Sequence, residues 1–107
     1  MLVHFIKIQF NMAQNMATIR RIVLDVLKPH KPNASEFAMM LADLGNQYDV
    51  HLSVIEVDEN TESVQLELKA PSIDFELVQA AIIDMGASLH SIDEVYAYSQ
   101  SNLNQQD

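Results

Sequence analysis

The chain contains no cysteine, which excludes disulfides, thiolate metal sites and cysteine nucleophiles. Basic residues are scarce: six lysines and arginines stand against fifteen aspartates and glutamates, a formal net charge of −9 at pH 7. That balance gives no bulk attraction to nucleic acid or anionic lipid. Cations, or a basic protein surface, are the electrostatically natural partners. No stretch approaches the roughly 18 consecutive apolar residues of a membrane span.

What is present suits one folded domain. The 107 residues suffice for one compact unit and are too few for two, and 49% hydrophobic with 20% charged residues is a globular balance. The few cations cluster: Arg20, Arg21, Lys28 and Lys31 lie close together, and after Lys31 only Lys69 is basic. One strand and the loop after it are therefore basic, while the rest is acidic. Residues 1–16 differ in character from the rest of the chain and read as an N-terminal extension, from a mis-assigned start or a loose arm. A small extra strand and a secretion signal are the alternatives. The segment has no basic leader region and no convincing cleavage site, so a cytoplasmic location is expected. Residues 99–107 form a polar tail.

The elements are set by periodicity and punctuation. Residues 18–27 are a β-branched run in which Ile22, Leu24 and Val26 share the core face, with Arg21, Val23, Asp25 and Leu27 opposite. Asn33 and Glu36 have capping-box spacing, and Phe37, Met40, Leu41, Leu44 and Tyr48 repeat at helical intervals, predicting a helix from about Ala34 to Gly45. Residues 50–57 and 62–69 are two strands joined by a "DENT" turn, the second with Val64, Leu66 and Leu68 inward and ended by Pro71. Asp74 caps a second helix with Leu77, Val78, Ala81, Ile82 and Met85 on its apolar face, and Gly86 stops it. Residues 87–98 are the fourth strand. The order β-α-β-β-α-β is the ferredoxin-like arrangement of the α+β class. It predicts a four-stranded antiparallel sheet, order 4-1-3-2, with two helices on one face and the other face open. Residues 17–98 make up this domain.

The segments "IRRIVLDVLKPHKP", "EVDENTE" and "GASLHSIDEV" resemble the small, mostly archaeal proteins of domain-of-unknown-function family 211, over roughly residues 17–97. The resemblance implies a ferredoxin-like fold and assembly into symmetric oligomers. It brings no activity and no catalytic residues. The chain departs from the pattern in its N-terminal extension and in "GNQYDV", where a short glycine-containing turn is usual.

Two groups of residues are candidate sites. Strand alternation places His90, Ile92 and Glu94 on one side of the fourth strand, but His90 and Glu94 are about 13 Å apart at roughly 3.3 Å per residue, so they cannot share a metal unless the strand bulges. Asp25 on the adjacent first strand, with Asp93 or Glu94 and with His90 or His30 of the loop, offers ligands to a divalent cation such as Ca²⁺ or Mg²⁺. Alternatively, Asp25 pairs with Arg20, Arg21 or an arginine of another subunit. Lys28, His30 and Lys31 precede a helix N-terminus and could hold a phosphate or carboxylate. The loop has no glycine and carries two prolines, so it is no phosphate loop; the other reading is a stiff connection. "DENTE" lacks the glycine and closing glutamate of a calcium loop. Met39 and Met40 are read as helix packing with a rim residue, and His51 as an edge-strand surface residue.

The expected function is a non-enzymatic homo-oligomeric module, a ring being one form of it, that associates through the open sheet face and binds a small ligand or cation at subunit boundaries. Val23 and Leu27 on that face and the segregated charge motivate it. The alternative is a metal-assisted enzyme with a composite site between subunits. Nucleic-acid binding is not expected, since the first and third strands carry no aromatic residue on which bases could stack.

Overall fold

Ile22, Leu24 and Val26 are buried together on one side of strand β1 (Ala17–Pro29), the spine of the fold. The computed structural model describes residues 16–99. After β1 come α1 (Ala34–Ala42), β2 (Asp49–Val57), β3 (Thr61–Ile73), α2 (Phe75–Asp84) and β4 (Ser88–Ser99). The sheet order is β2-β3-β1-β4 and every neighbouring pair is antiparallel. This is the expected order read from the other edge, and the fold is α+β and ferredoxin-like. Both helices lie on one face, because Phe37, Leu41, Val78 and Ile82 join Ile22, Leu24, Val26, Val64, Leu66 and Leu68 in a single buried cluster. Expectations for residues 1–15 and 100–107 lie outside the described residues.

The helices begin and end where side-chain chemistry directs. The Asn33 side chain accepts the Glu36 amide at 2.9 Å, and the Glu36 carboxylate accepts the Asn33 amide at 3.0 Å, a complete capping box. Asp74 accepts the Leu77 amide at 3.2 Å. At the end of α2, Gly86 takes φ +84°, and the Ala87 and Gly86 amides bond back to the Ile82 and Ile83 carbonyls. This left-handed stop strains any residue with a Cβ.

Four expectations are corrected. Strand β3 runs through Pro71 to Ile73 rather than ending there. Its pairing with β2 ends at Lys69, and its register with β1 shifts between Ile19 and Arg21, so the missing Pro71 N–H falls at an irregularity. Helix α1 stops at Ala42, and Gln47, not a glycine, takes the positive φ of 61° in the exit. Tyr48 closes that exit: its ring fills the space where a side chain at Gly45 would go, and its hydroxyl accepts the Asp74 amide at 2.8 Å. Met39, Met40 and Leu77 are exposed, so the helices bury narrower stripes than the pattern predicts. Strict alternation fails in β4, where register shifts leave His90 and Asp93 as extra residues, so that Ile92 pairs with Leu24 and Glu94 with Val23.

Candidate functional site

Residues directly opposite in an antiparallel ladder share a face, so the sheet reads as rows across its four strands. On the open face one row is Asp49–Lys69–Arg21–Tyr96, the next His51–Glu67–Val23–Glu94, and the third Ser53–Gln65–Asp25–Ser91. Arg21 leans between two carboxylates: its Nε donates to Glu67 and its other guanidinium nitrogen to Glu94, each at 2.6 Å. Glu94 and then Glu67 raise the Arg21 pKa further, and Arg21 holds Glu67 below the usual carboxylate range. Val23, in the row of those two glutamates, is only 4% exposed although it lies outside the helix-side core. Most of the open face is therefore polar. Of the two apolar residues expected to seek a partner there, Val23 is buried beside the clamp, whereas Leu27, between Ser63 and Ser88, is half-buried.

Asp25 is flanked by Gln65 and Ser91 in the ladder. Its expected arginine partners in the same chain are engaged elsewhere: Arg21 with the glutamates, and Arg20 over the Tyr98 ring at 4.2 Å. The Arg20 Nε is buried without a hydrogen-bond partner among the described residues. The remaining members of the proposed cation set do not meet Asp25. Glu94 belongs to Arg21, Asp93 accepts the Ser91 hydroxyl at 2.7 Å, and His90 is exposed at its own register shift. Among the described residues no three His, Asp or Glu side chains converge on one point.

Lys28, His30 and Lys31 also separate. Lys28 follows Ile22, Leu24 and Val26 on the helix side of β1 and is 0% exposed. Its ammonium donates to the Pro29 carbonyl at 2.8 Å and to Glu62 at 3.1 Å, and stands 5.6 Å from the centre of the Phe37 ring. The other Glu62 oxygen faces the His30 Nδ1 at 3.0 Å, and the His30 Nε2 faces the Glu59 carbonyl, also at 3.0 Å. Lys31 is exposed. The result is a structural clasp between the end of β1 and the β2–β3 hairpin turn, rather than an open anion cradle. The signal for Lys28 is its parity in the strand.

Both His30 ring nitrogens face acceptors, the arrangement of a protonated imidazole. The Glu62 carboxylate first, and the Glu59 carbonyl second, raise the His30 pKa above its ordinary 6.5, while His30 and then Lys28 lower that of Glu62 below its ordinary 4.5. The His30 contribution to stability is complete below its unfolded value and is lost as pH rises through the higher folded one. The Glu62 contribution is present above its unfolded value and is lost as pH falls through the lower folded one. Thermal melting of wild type and His30→Gln should therefore differ most near about pH 5–6 and converge above the folded His30 pKa. A difference independent of pH would contradict the clasp.

The helix side of the sheet gives a different pattern. Its rows are Val50–Leu68–Ile22–Val95, Leu52–Leu66–Leu24–Ile92 and Val54–Val64–Val26–Leu89. The strands in the centre run 13 residues and the helices only 9 and 10. At 1.5 Å per helical residue against about 3.3 Å per strand residue, the helices cover well under half of the strand length. The inner residues are buried, but the rows run out at both rims: Ile92 is 47% and Val95 54% exposed on β4, and Val54 is 43% exposed on β2. Val57, at the end of β2, lies in the row of Glu62 and Lys28 instead. No helix among the described residues is long and apolar enough to cross a membrane.

Compared with known proteins, residues 20–102 match the family described as Uncharacterized ArCR, domain of unknown function 211. An uncharacterized protein of Methanocaldococcus jannaschii is 44% identical over 82 residues, which is 77% of this chain and 84% of that protein.

Proposed function

The chain belongs to domain-of-unknown-function family 211, and on that premise we propose that it is a non-enzymatic module that works as a homo-oligomer, joined through the edges of its sheet. The apolar rows that end half-exposed at Ile92 and Val95 on one rim, and at Val54 on the other, carry this reading. Scattered exposed apolar residues are ordinary. These continue rows whose inner members are buried. Neither β2 nor β4 contains the lysine, arginine or proline that protects an unpaired edge. This reading puts the contact at the rims rather than on the open face, whose rows are mostly polar and whose Val23 is already buried.

Magnitudes set the kind of assembly. Burying a large apolar side chain fully contributes about 1.5–3 kcal/mol, so these half-exposed ones contribute roughly 1 kcal/mol each. Association costs on the order of 4–15 kcal/mol, so backbone pairing along the edges has to supply much of the rest. A closed ring, in which every copy makes two contacts, suits that balance better than an isolated pair. A small ligand or a cation such as Ca²⁺ or Mg²⁺ would then sit at the boundary, where His90, Asp93 and Glu94 on the β4 rim meet the next copy. The metal-assisted alternative needs the same boundary. Light scattering at physiological salt and micromolar concentration should return a multiple of the 12.1 kDa chain mass. A monomer at every concentration would overturn the reading.

A further inference from the structure

We infer that the contact is head-to-tail: the outer edge of β4 in one copy pairs antiparallel with the outer edge of β2 in the next, so the sheet runs on from copy to copy. This contact presupposes the self-association proposed above and names its interface. Because each neighbouring pair in β2-β3-β1-β4 is antiparallel, β2 and β1 run one way and β3 and β4 the other. A second copy set beside β4 in the same orientation therefore presents its β2 in the antiparallel sense, with its helices on the same face.

The rows then continue with matching chemistry. On the helix side Val95, Ile92 and Leu89 come beside Val50, Leu52 and Val54 of the next copy, so apolar meets apolar. On the open side Glu94 comes beside His51 of the next copy, Tyr96 beside Asp49 and Ser91 beside Ser53, so an acid meets an imidazole and a hydroxyl meets a carboxylate. The symmetric alternative is disfavoured. A two-fold axis through the middle of β4 sets Asp93 and Glu94 against their own copies, gathering four carboxylates where like charges oppose. It also leaves the β2 rim bare. A head-to-tail contact uses each rim once per copy, and the twist of the sheet supplies the rotation that can close a ring.

Two variants separate these arrangements. Ile92→Lys with Val95→Lys blocks the β4 rim; Val54→Lys blocks the β2 rim. Each alone should be monomeric by light scattering, and an equimolar mixture should form a one-to-one dimer through the two intact rims. A β2-rim variant that dimerises alone, a mixture that stays monomeric, or variants that keep the wild-type mass would each overturn the head-to-tail contact while leaving assembly standing. A monomeric wild type would overturn assembly itself. Cysteine cross-linking gives a second reading that does not depend on the lysine variants folding, since the chain has no native cysteine. Facing strands bring Cα atoms to about 4.5–5.5 Å, within disulfide range. His51→Cys and Glu94→Cys proteins, oxidised together, should cross-link one to the other. Cross-linking of either variant only with itself, or none at all, would overturn the contact.

Discussion

Glu62→Ala is expected to lower the free energy of unfolding by about 3–5 kcal/mol, the usual cost of leaving a buried charge without its counter-ion. The Lys28 ammonium is sealed from solvent among Pro29, Phe37 and Glu62, and its salt bridge in the structure is with Glu62. Removing the carboxylate also leaves His30 with only the Glu59 carbonyl of the hairpin turn. Lys28→Met should behave very differently. It replaces the buried charge with an apolar side chain of similar length, and such exchanges run from neutral to stabilising by about 1–4 kcal/mol. Urea denaturation near neutral pH, at one fixed protein concentration, measures both. Equal and large losses in the two variants would show that the pair, rather than the stranded charge, matters most. Near-neutral behaviour of Glu62→Ala would show that Lys28 finds another partner or reaches water.

Phe37→Ala is expected to cost about 3–5 kcal/mol, in the range for truncating a buried aromatic. Phe37 is 0% exposed, anchors α1 on the sheet and forms one wall of the Lys28 site. The loss should exceed that of Met39→Ala or Met40→Ala several-fold. Those neighbours are 63% and 51% exposed, and substitutions at such positions usually stay within about 0.5 kcal/mol. Denaturant midpoints of the three variants settle the ranking. A Met40→Ala cost approaching that of Phe37→Ala would place Met40 in a packed environment, as a covered α1 surface would require.

The fold is legible because its strongest signals are local. Alternation in residues 22–28 and 64–68, the Asn33–Glu36 box and the Gly86 stop each act within a few residues. The features that stay hidden depend on partners distant in sequence. Pro71 reads as a strand end until the β2 pairing is seen to stop at Lys69. His90 and Asp93 become extra residues only once β4 is laid against β1. Lys28 has the parity of the core residues before it, yet Pro29 beside it makes the segment read as a loop. Its burial depends on Glu62, which lies 34 positions away. Val23 reads as an unmet apolar residue because Glu67 and Glu94, the ends of the Arg21 clamp, come from two other strands. The apolar rims are the hardest to foresee, since they arise from a mismatch between helix length and strand length across the whole sheet.

The central claim is that the two sheet rims are covered by copies of the same chain. Amide hydrogen exchange, read by mass spectrometry across β2 and β4 at high and at strongly diluted protein, tests it most directly. The outward amides of both strands should be protected when the protein is concentrated and exchange faster on dilution, while the β1 and β3 amides stay protected in both. Rim amides that exchange as fast as the β2–β3 turn at every concentration would contradict it.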